Sequence, residues 1–385
     1  MHALVLGAGL MGRAITFDLV HNTSFSTVSL LDGNKETLEE SKQFFDNNGE
    51  IMFHHQDVTN TQEMNSFFAD ADVVISAVPY LFNEKLTELA ISQHCHFVDL
   101  GGNNTVVQNQ KKLFSQAEDA KVTIIPDSGL APGLVSILTK DLVDEYGHLS
   151  KVKLRVGGLP KQPKEPWNYQ LVFSANGLIN EYMEDAIILN HGSIETIPSL
   201  TQCESITFPK PFGTLEAFMT SGGCSTLPYT YQDKIDYLDY KTIRYPGHLQ
   251  MIKPLFDLGL GSTELVTIKQ KKISPRDMFI TLLHKTLPSE GEDVVLLKVI
   301  GELDNDGKTK IITYEMIDYY DNNTNLSSMM RTTGFPVSVT ADLIARKKIF
   351  SYGVFTPEEI IPTSLFLDEL RKRNMIIEKQ VNNQN

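Results

Sequence analysis

The glycine-rich stretch near the start of the chain constrains the fold most. It reads Gly7-Ala8-Gly9-Leu10-Met11-Gly12 and directly follows the apolar run Ala3–Leu6. A helix-like segment and a second apolar run, Val28–Leu31, come next, and Asp32 ends that run. A Gly-x-Gly-x-x-Gly sequence in this strand–loop–helix–strand context is typical of dinucleotide binding. It predicts that the phosphates lie at the helix N-terminus, where unpaired N–H groups and the helix dipole attract anions.

Each position of this loop has a predicted role. Gly7 permits the tight turn, Gly9 lets the backbone approach a pyrophosphate, and Gly12 lets the helix pack close to the strand. Leu10 and Met11 lie between these glycines, at the start of the helix, and we expect them to contact the cofactor as well.

Asp32 lies about 20 residues past the glycines, where a carboxylate accepts hydrogen bonds from the adenosine ribose hydroxyls. That carboxylate would repel a 2′-phosphate, so the sequence favours NAD over NADP. An alternative role is that of a helix N-cap ahead of Glu36, and one carboxylate can serve in both.

Short apolar runs alternate with amphipathic segments through the first third of the chain. After the first two runs, the pattern predicts strands at Glu50–His55, Ala71–Ala77, Cys95–Leu100 and Val122–Ile125, with helices at Asn34–Phe45, Thr59–Ala69, Glu84–Ser92 and Thr105–Ala120. Six strands alternating with helices indicate an α/β fold of the Rossmann type, with a doubly wound parallel sheet.

In such a sheet, ligands bind beyond the carboxyl ends of the strands. A carboxylate after the third strand can pair with the adenine amino group, and glycines after the fifth permit close approach to a nicotinamide ring. On this rule the further cofactor contacts are predicted at Asp57, Val58, Ala77, Val78, Pro79 and Gly101.

The pattern changes after Gly133. A helix at Leu134–Tyr146 leads into period-2 segments that predict strands. These are Val152–Val156, Tyr169–Phe173, Glu204–Phe208, Leu238–Arg244, Val294–Ile300, Thr309–Asp318 and Leu326–Arg331, with helices at Gly247–Leu258 and Pro275–Leu287. They indicate a second α+β domain with a mixed or antiparallel sheet.

We therefore predict a dinucleotide-binding domain over residues 1–130 and a substrate and dimerisation domain over residues 131–334. Amphipathic helices at Val337–Lys347 and Ser364–Arg373, within residues 335–385, are expected to complete the first domain. The end of the chain, Gln380–Asn385, reads as frayed.

The acidic composition, a net charge of −14 over 385 residues, argues against nucleic acid or an anionic membrane as a partner. No apolar segment reaches the roughly 20 residues that a membrane helix needs. Three cysteines without paired spacing, and a start without a signal-like stretch, predict a reduced, cytoplasmic protein. No metal is predicted, because the adjacent histidines His54 and His55 on a strand point to opposite faces.

Several longer motifs follow one another in a fixed order. They are VDLGGN (Val98–Asn103), IPDSGLAPG (Ile125–Gly133), VGGLP (Val156–Pro160), FMTSGGCSTL (Phe218–Leu227), KTIRYPGH (Lys241–His248) and TGFPVSVTADLIARKKI (Thr333–Ile349). Together with the glycine loop they make nearly the whole chain resemble the saccharopine dehydrogenase-like oxidoreductases, most closely the L-lysine 6-dehydrogenase branch.

The resemblance implies a Rossmann domain completed by C-terminal helices, with an inserted substrate domain. It also implies oxidation of an amine carbon by NAD. In the lysine branch the ε-amine becomes an imine and hydrolyses with loss of ammonia, and the resulting 2-aminoadipate semialdehyde cyclises to piperideine-6-carboxylate. A small amino-acid substrate is then the partner, and a homo-oligomer, a dimer by analogy, is expected.

Such a reaction needs a group that accepts a proton from the substrate ammonium, because a protonated amine cannot donate its lone pair. Asp99, at the end of the fifth strand, is the first candidate; the alternative is a carboxylate that caps the following turn. His248 is the second candidate, although a lone histidine is often structural. Lys241 would serve only if burial lowered its pKa.

Arg244 suits the substrate α-carboxylate, because its planar fork binds carboxylates through two hydrogen bonds. The resemblance supports this role, and a surface salt bridge is the alternative. Tyr80, Trp167 and Thr220 are predicted to line the substrate pocket, with plain packing as the alternative for the two aromatic residues.

Two other functions stay open. One is a reductase that joins an aldehyde and an amine, as in saccharopine or carboxyspermidine formation; the short chain weakly disfavours a site for the glutamate half of saccharopine. The other is a non-catalytic NAD-binding sensor. The presence of Asp99, Arg244 and His248 together counts against the sensor.

Overall fold

A computed structural model describes residues 1–46, 49–288, 291–305 and 308–384. The chain divides into two compact units. Unit 1 comprises Met1–Asp144, Ser225–Thr230 and Met330–Ile376, and unit 2 comprises Glu145–Cys224, Tyr231–Met329 and Ile377–Asn385. These bounds differ from the predicted ranges, because the chain up to Asp144 lies in unit 1 and the last strand lies in unit 2.

The strands of the described residues alternate with helices through the first third of the chain and dominate the middle. In chain order they are β1 (His2–Leu6), β2 (Thr27–Asp32), β3 (Ile51–His55), β4 (Val73–Ser76), β5 (His96–Asp99), β6 (Thr123–Ile125), β7 (Leu149–Pro160), β8 (Ala186–Asn190), β9 (Ser193–Ile197), β10 (Glu204–Phe208), β11 (Gly213–Met219), β12 (Ile235–Arg244), β13 (Val266–Ile268), β14 (Lys271–Ile273), β15 (Asp293–Asn305), β16 (Lys308–Tyr319), β17 (Gly353–Val354) and β18 (Glu378–Gln384).

Most α-helices of the described residues lie in unit 1, and unit 2 contains three of them between its strands. They are α1 (Leu10–Asn22), α2 (Lys35–Phe44), α3 (Thr61–Ala69), α4 (Asn83–Ser92), α5 (Asn104–Lys111), α6 (Phe114–Asp119), α7 (Leu134–Tyr146), α8 (Ala175–Met183), α9 (Leu227–Thr230), α10 (His248–Asp257), α11 (Pro275–Thr286), α12 (Ser328–Ala345), α13 (Pro357–Ile360) and α14 (Thr363–Lys372).

Unit 1 is built on a seven-stranded sheet in the order β17-β6-β5-β4-β1-β2-β3. All neighbours pair in parallel; Leu6 of β1, for example, lies beside Leu31 of β2 and Ser76 of β4. Every residue of β4 and the last four of β1 are buried, as expected for a parallel sheet that is covered on both faces. The predicted Rossmann-type fold is confirmed, with β17 as an additional edge strand.

The C-terminal helices of unit 1 pack on α1. Helix α12 approaches α1 closely at Gly334, where a Cβ would lie 2.8 Å from the Cβ of Ala14. After α14, the Nε of Arg373 donates to both carboxylate oxygens of Asp18 at 2.8 Å, and both side chains are buried. This buried ion pair, in which one N–H is shared by two carboxylate oxygens, connects the end of α14 to α1.

Unit 2 contains a nine-stranded sheet with the path β10-β11-β12-β7-β15-β16-β18, to which β8 and β9 are attached through β12. Strands β12 and β7 run parallel, whereas the other pairs are antiparallel. The predicted mixed or antiparallel sheet is thereby confirmed. A separate two-stranded ribbon is formed by β13 and β14.

The predicted strand at Tyr169–Phe173 is wrong. This segment is irregular, and the N–H of Leu171 donates to the carbonyl of Pro288 rather than to a neighbouring strand. Four consecutive residues, Tyr169–Val172, are buried. Tyr169 and Leu171 enter a cluster of apolar side chains that also includes residues of α8 and α11. The segment is therefore apolar because it packs into this cluster, not because it pairs as a β-strand.

The predicted strand at Leu326–Arg331 is also wrong, because α12 begins at Ser328. The carboxylate of Asp293 accepts the backbone N–H groups of Ser328 at 2.6 Å and of Met329 at 2.9 Å. A residue 35 positions away thus satisfies the first free amides of the helix. The helix predicted over Thr105–Ala120 divides into α5 and α6.

The end of the chain is ordered as a strand over the described residues. Residues predicted to be frayed, Gln380–Gln384, belong to β18, which pairs with β16; Asn385 lies outside the described residues. No helix of the described residues is long and apolar enough to cross a bilayer.

Candidate active site

The glycine loop between β1 and α1 has the geometry that a dinucleotide requires. Gly7 has a φ of 97°, which favours glycine, and a Cβ on Gly12 would lie 1.7 Å from the carbonyl oxygen of Gly7. A Cβ on Gly9 would meet no atom within 4 Å. The loop therefore packs closely against α1 at Gly7 and Gly12, and it leaves open space at Gly9, where a pyrophosphate would lie. Leu10 is exposed and Met11 half-buried on the first turn of α1.

Asp32 ends β2 and is held beside this loop. One carboxylate oxygen accepts the N–H of Ala8 at 2.7 Å, and the other accepts the N–H of Asn34 at 2.7 Å. Each oxygen has a second acceptor site for ribose hydroxyls. The alternative role of Asp32 as the N-cap is wrong: Asn34 caps α2, and its side chain accepts the N–H groups of Glu36 and Thr37.

The other predicted cofactor residues follow the strands at the same edge of the unit 1 sheet. Asp57 is exposed and accepts bonds from the N–H and the hydroxyl of Thr59, which lower the pKa of its carboxyl. The remaining predicted positions there are Val58, Ala77 and Val78, which are half-buried, Pro79, which is exposed, and Gly101, which is half-buried. The sheet brings them to one edge, and their contact with a cofactor stays a prediction.

Asp99 is fully buried, and its carboxylate is occupied by groups of its own unit. One oxygen accepts the N–H of Gly101 at 2.7 Å and the N–H of Asp127 at 3.3 Å, and the other accepts the Gln110 side chain at 2.7 Å. Burial raises the pKa of Asp99 to about 6, and these hydrogen bonds oppose the rise. This arrangement fits the turn-capping alternative better than direct contact with a substrate.

Two further carboxyl groups surround this turn, and sequence reasoning did not bring them together with Asp99. Asp127 is buried, adopts a φ of 60° and accepts a hydrogen bond from the hydroxyl of Ser225. Burial raises the pKa of Asp127 to about 8, and the nearby Asp99 and Glu358 raise it further. Glu358 of α13 accepts the hydroxyls of Thr226 and Thr230. Only tertiary structure places α13 and the 225–230 segment here.

Tyr80 lies in a short 3₁₀ turn, Tyr80–Phe82, after β4. Its ring covers Gly102, since a Cβ on that glycine would lie 3.4 Å from the ring. The tyrosine is half-buried. It therefore borders the loop that Asp99 holds.

In unit 2, Arg244 lies at the end of β12 and is 2% exposed. Its Nε donates to the Tyr182 hydroxyl at 3.0 Å, and Nη1 donates to the carbonyl of Ile243 at 2.9 Å. The guanidinium lies 5.0 Å from the centre of the Tyr169 ring. In the described part of the chain Arg244 forms no ion pair, because no carboxylate oxygen lies within 4.0 Å of its nitrogens. The alternative of a surface salt bridge is therefore wrong.

His248 begins α10 beside Arg244. Its Nε2 lies 3.1 Å from the Tyr182 hydroxyl, and its ring stacks on Phe218 with an interplanar angle of 9°. Burial, together with the positive charge of Arg244, lowers the pKa of His248 to about 3. The imidazole is therefore neutral at physiological pH and a weak base, which disfavours it as the proton acceptor.

We call the residues around this guanidinium the Arg244 cluster; its members are Tyr169, Glu181, Tyr182, Phe218, Tyr240, Arg244 and His248. Among the described residues, the buried hydroxyl of Tyr169 in this cluster has no hydrogen-bond partner, and neither has that of Thr220, which follows β11. A buried polar group without a partner is costly, so these atoms indicate a place where a polar ligand binds.

The other predicted residues of unit 2 behave differently. Trp167 is half-buried and packs against the apolar cluster that contains Tyr169. Lys241 is 5% exposed, and its Nζ lies 2.8 Å from Glu204, which excludes it as a free base. Helix α8, which carries Glu181 and Tyr182, was missed. Its signal was present in Ser174, whose side chain caps Gly177, and in the four-residue spacing of Leu178 and Tyr182.

No three His, Cys, Asp or Glu side chains are grouped suitably for a metal ion among the described residues. The recognisable chemistry is instead a dinucleotide loop on a parallel sheet in unit 1 and a buried guanidinium with orphaned hydroxyls in unit 2. These features define an NAD(P)-dependent oxidoreductase. The chemical class of the substrate that it oxidises follows from comparison with known proteins.

Two family models match the chain and together cover nearly all of it. Residues 3–125 match the saccharopine dehydrogenase NADP binding domain, and residues 129–376 match the saccharopine dehydrogenase C-terminal domain. The chain therefore belongs to the saccharopine dehydrogenase family, as its motifs predicted, and is an amino-acid dehydrogenase that acts on CH–NH donors.

Known relatives are distant in sequence. A saccharopine dehydrogenase [NADP(+), L-glutamate-forming] of Pyricularia oryzae is 23% identical, with 96% of each chain covered. The mitochondrial alpha-aminoadipic semialdehyde synthase of Mus musculus is 22% identical over 71% of this chain, and the match spans only 30% of that relative.

Solved structures show the same fold. The apo saccharopine dehydrogenase (L-Glu forming) of Saccharomyces cerevisiae has a TM-score of 0.80 at 20% identity, with 99% of each chain covered. The homospermidine synthase of Legionella pneumophila in complex with NAD has a TM-score of 0.70 at 14% identity, with 99% of this chain and 91% of that chain covered.

Proposed function

We propose that this protein catalyses the NAD-dependent oxidative deamination of the ε-amino group of L-lysine. The products are 2-aminoadipate semialdehyde, which cyclises to piperideine-6-carboxylate, and ammonia. The single observation that carries this proposal is the buried guanidinium of Arg244, which has no carboxylate oxygen within 4.0 Å among the described residues. A buried unpaired charge is strongly unfavourable, and a substrate carboxylate would relieve it.

Arg244 favours a substrate that presents one carboxylate at this place. Of the residues in the Arg244 cluster, it is the one with a permanent positive charge. L-lysine has a single carboxylate, whereas the glutamate half of saccharopine brings two more. The cluster therefore supports lysine more directly than saccharopine.

The dinucleotide, when bound, accepts the hydride that leaves C6 of the substrate. Unit 1 binds the dinucleotide, and unit 2 binds the carboxylate end of the amino acid. We assign positioning roles to Asp99 and His248, the two predicted catalytic residues. Asp99 fixes the loop at Gly101, and His248 orients the Tyr182 hydroxyl that holds Arg244.

NAD is proposed over NADP because the surroundings of Asp32 are acidic. A shallow surface on α2 is lined by Glu36, Glu39 and Glu40 together with Lys35. Arg13 of α1 is engaged by Ser41 and Glu40 at 2.8 Å and is not free for a phosphate. A 2′-phosphate would therefore meet negative charge near the ribose.

The oligomeric state and location stay proposals. Cys95, Cys203 and Cys224 are free thiols, which supports a reducing compartment such as the cytoplasm. The homodimer rests on the family resemblance alone.

Saccharopine oxidation is the second candidate, because relatives that match the chain carry the name saccharopine dehydrogenase. Incubation of the purified protein with NAD and L-lysine, while NADH and ammonia are followed together, separates the candidates. Equal formation of both products supports lysine deamination. NADH formation with saccharopine alone, or turnover only with an aldehyde and an amine, supports the second candidate. Cofactor binding without turnover on any amine supports a sensor.

A further inference from the structure

The Arg244 cluster contains a carboxylate whose role the reaction described above leaves open. Glu181 lies near the end of α8, one residue before Tyr182, which binds both Arg244 and His248. Its carbonyl oxygen accepts the N–H of Ser221 at 3.0 Å. This bond connects α8 to the residue that follows Thr220. The backbone of Glu181 is thus held against the segment that follows β11.

The side chain of Glu181 interacts with the Arg244 cluster without closing it. Its carboxylate interacts electrostatically with Arg244 and with the hydroxyls of Tyr169 and Tyr240. It nevertheless forms no ion pair with Arg244, since no oxygen of Glu181 lies within 4.0 Å of an Arg244 nitrogen. The two opposite charges are therefore close enough to interact, but they do not form an ion pair. In addition, no described residue accepts a hydrogen bond from Nη2 of Arg244.

This arrangement of two opposite charges that do not pair with each other has the polarity of an amino-acid head group. A guanidinium on one side matches an α-carboxylate, and a carboxylate on the other side matches an α-ammonium. The hydroxyl of Tyr169, 3% exposed and without a hydrogen-bond partner among the described residues, adds hydrogen-bonding capacity to the same cluster. Both charges of a zwitterion would be compensated, whereas a simple carboxylic acid would leave the charge of Glu181 unmatched.

We propose that Glu181 binds the α-ammonium of the substrate, so that the enzyme accepts only amino acids whose α-amino and α-carboxyl groups are both free. The inference rests on the proposed role of unit 2 in binding the substrate head group. It deepens that role by adding a specificity-determining residue. Compounds of the same chain length that lack the α-amine, or carry it acylated, are excluded as substrates.

Glu181 has a second conceivable role, as the acceptor of the proton from the ε-ammonium. Burial raises the pKa of its carboxyl to about 7, against the opposing effect of Arg244, and a pKa in this range suits a general base. Its position argues otherwise. If Arg244 holds the α-carboxylate, its neighbour Glu181 lies at the head of the substrate, several bonds away from the ε-amine.

Binding of non-reactive head-group probes tests the proposal independently of turnover. L-norleucine has the zwitterionic head and no ε-amine, and hexanoate lacks the α-amine. Isothermal titration of the full chain, with NAD present, should show norleucine binding at least 10-fold more tightly than hexanoate. In Glu181→Gln the ratio of the Kd for hexanoate to the Kd for norleucine should fall below about 3-fold. Glu184→Gln, on the exposed end of the same helix, is the control and should retain the full ratio.

An unchanged ratio in Glu181→Gln, or no preference for norleucine in the unmodified protein, would overturn the proposal. Turnover measurements address the second role. If Glu181 accepts the proton, Glu181→Gln would lower kcat equally for L-lysine and 6-aminohexanoate and would abolish the acidic limb of the pH profile of kcat. Failure of L-lysine as a substrate, with a normal norleucine preference, would contradict only the proposed reaction.

Discussion

The Nε of Arg244 donates a hydrogen bond to the hydroxyl of Tyr182 at 3.0 Å, inside a cluster that excludes water from both side chains. The same hydroxyl lies 3.1 Å from Nε2 of His248. One oxygen therefore orients the guanidinium and is itself oriented by the imidazole. The imidazole of His248 is neutral because its pKa is low, so Nε2 can accept a hydrogen bond from the Tyr182 hydroxyl while the hydroxyl oxygen accepts one from Arg244.

Replacement of Tyr182 by Phe should weaken substrate binding without changing cofactor binding. The loss of one hydrogen bond in a buried site costs about 1 kcal/mol, so the KM for L-lysine should rise about 5-fold. The KM for NAD should stay within 2-fold, and initial-rate kinetics measure both. A rise in the KM for NAD of the same size would show that Tyr182 supports the fold in general and not the guanidinium.

Replacement of Arg244 by Ala should raise the KM for L-lysine by about 10- to 100-fold, because hydrogen bonds to charged groups contribute about 1.5–3 kcal/mol. Arg244→Lys is the matched control, because it retains the charge but not the planar fork. Its KM for L-lysine should lie between that of the unmodified protein and that of Arg244→Ala. Circular dichroism checks that both variants fold. Equal effects on the KM values of lysine and NAD would indicate a structural role.

Replacement of Asp32 by Ala should narrow the preference for NAD over NADP, measured as the ratio of the two kcat/KM values. Asp32→Asn separates charge from geometry. It can still accept the N–H of Ala8 but does not repel a 2′-phosphate, so it should narrow the preference as Ala does while retaining more of the NAD activity. A ratio that neither variant changes would remove Asp32 from the ribose site.

Two glycines of one loop should respond in opposite ways to alanine. In Gly12→Ala the new Cβ would lie 1.7 Å from the carbonyl oxygen of Gly7, so the backbone must shift and stability should fall by about 1–3 kcal/mol. In Gly9→Ala the Cβ meets open space, so stability should change little while NAD affinity falls at least 10-fold. Urea unfolding and NAD titration measure the two effects. A stable Gly12→Ala that binds NAD normally would contradict the close packing.

Asp127 predicts a pH-dependent contribution to stability. Its folded-state pKa, about 8, lies above the ordinary value of 3.8. The native state therefore retains a proton that the unfolded state loses, and the contribution of this group to stability decreases as pH rises from about 4 to 8. Asn does not titrate and accepts the positive φ of 60° at this position.

Asp127→Asn should accordingly gain stability relative to the unmodified protein between pH 5 and pH 8.5, by at least about 1 kcal/mol. Urea unfolding at the two pH values measures the difference. The exposed Asp119→Asn is the control, and its difference from the unmodified protein should be the same at both values. If Asp127→Asn behaves like this control, the carboxyl of Asp127 is ionised in the native state.

The local pattern of the first third was sufficient to predict its fold. The glycine loop, the strand that ends at Asp32 and the alternation up to Ile125 are properties of neighbouring residues, because a parallel strand buried on both faces is apolar throughout. In unit 2 the same reasoning failed at two places. Tyr169–Phe173 is apolar because it is buried, not because it pairs in a sheet, and the helix at Ser328 is capped by a carboxylate that is distant in sequence.

The candidate site divides in the same way. The sequence by itself determined the residue types: the loop from Gly7 to Gly12, the acid at Asp32 and an arginine at position 244. Only the tertiary structure decided that Arg244 is buried without an ion pair among the described residues, that His248 is a weak base and that the charge of Glu181 acts on the guanidinium. The reason is physical: charge compensation and desolvation depend on which distant elements pack together, and β12, α8 and α10 meet only in the folded chain.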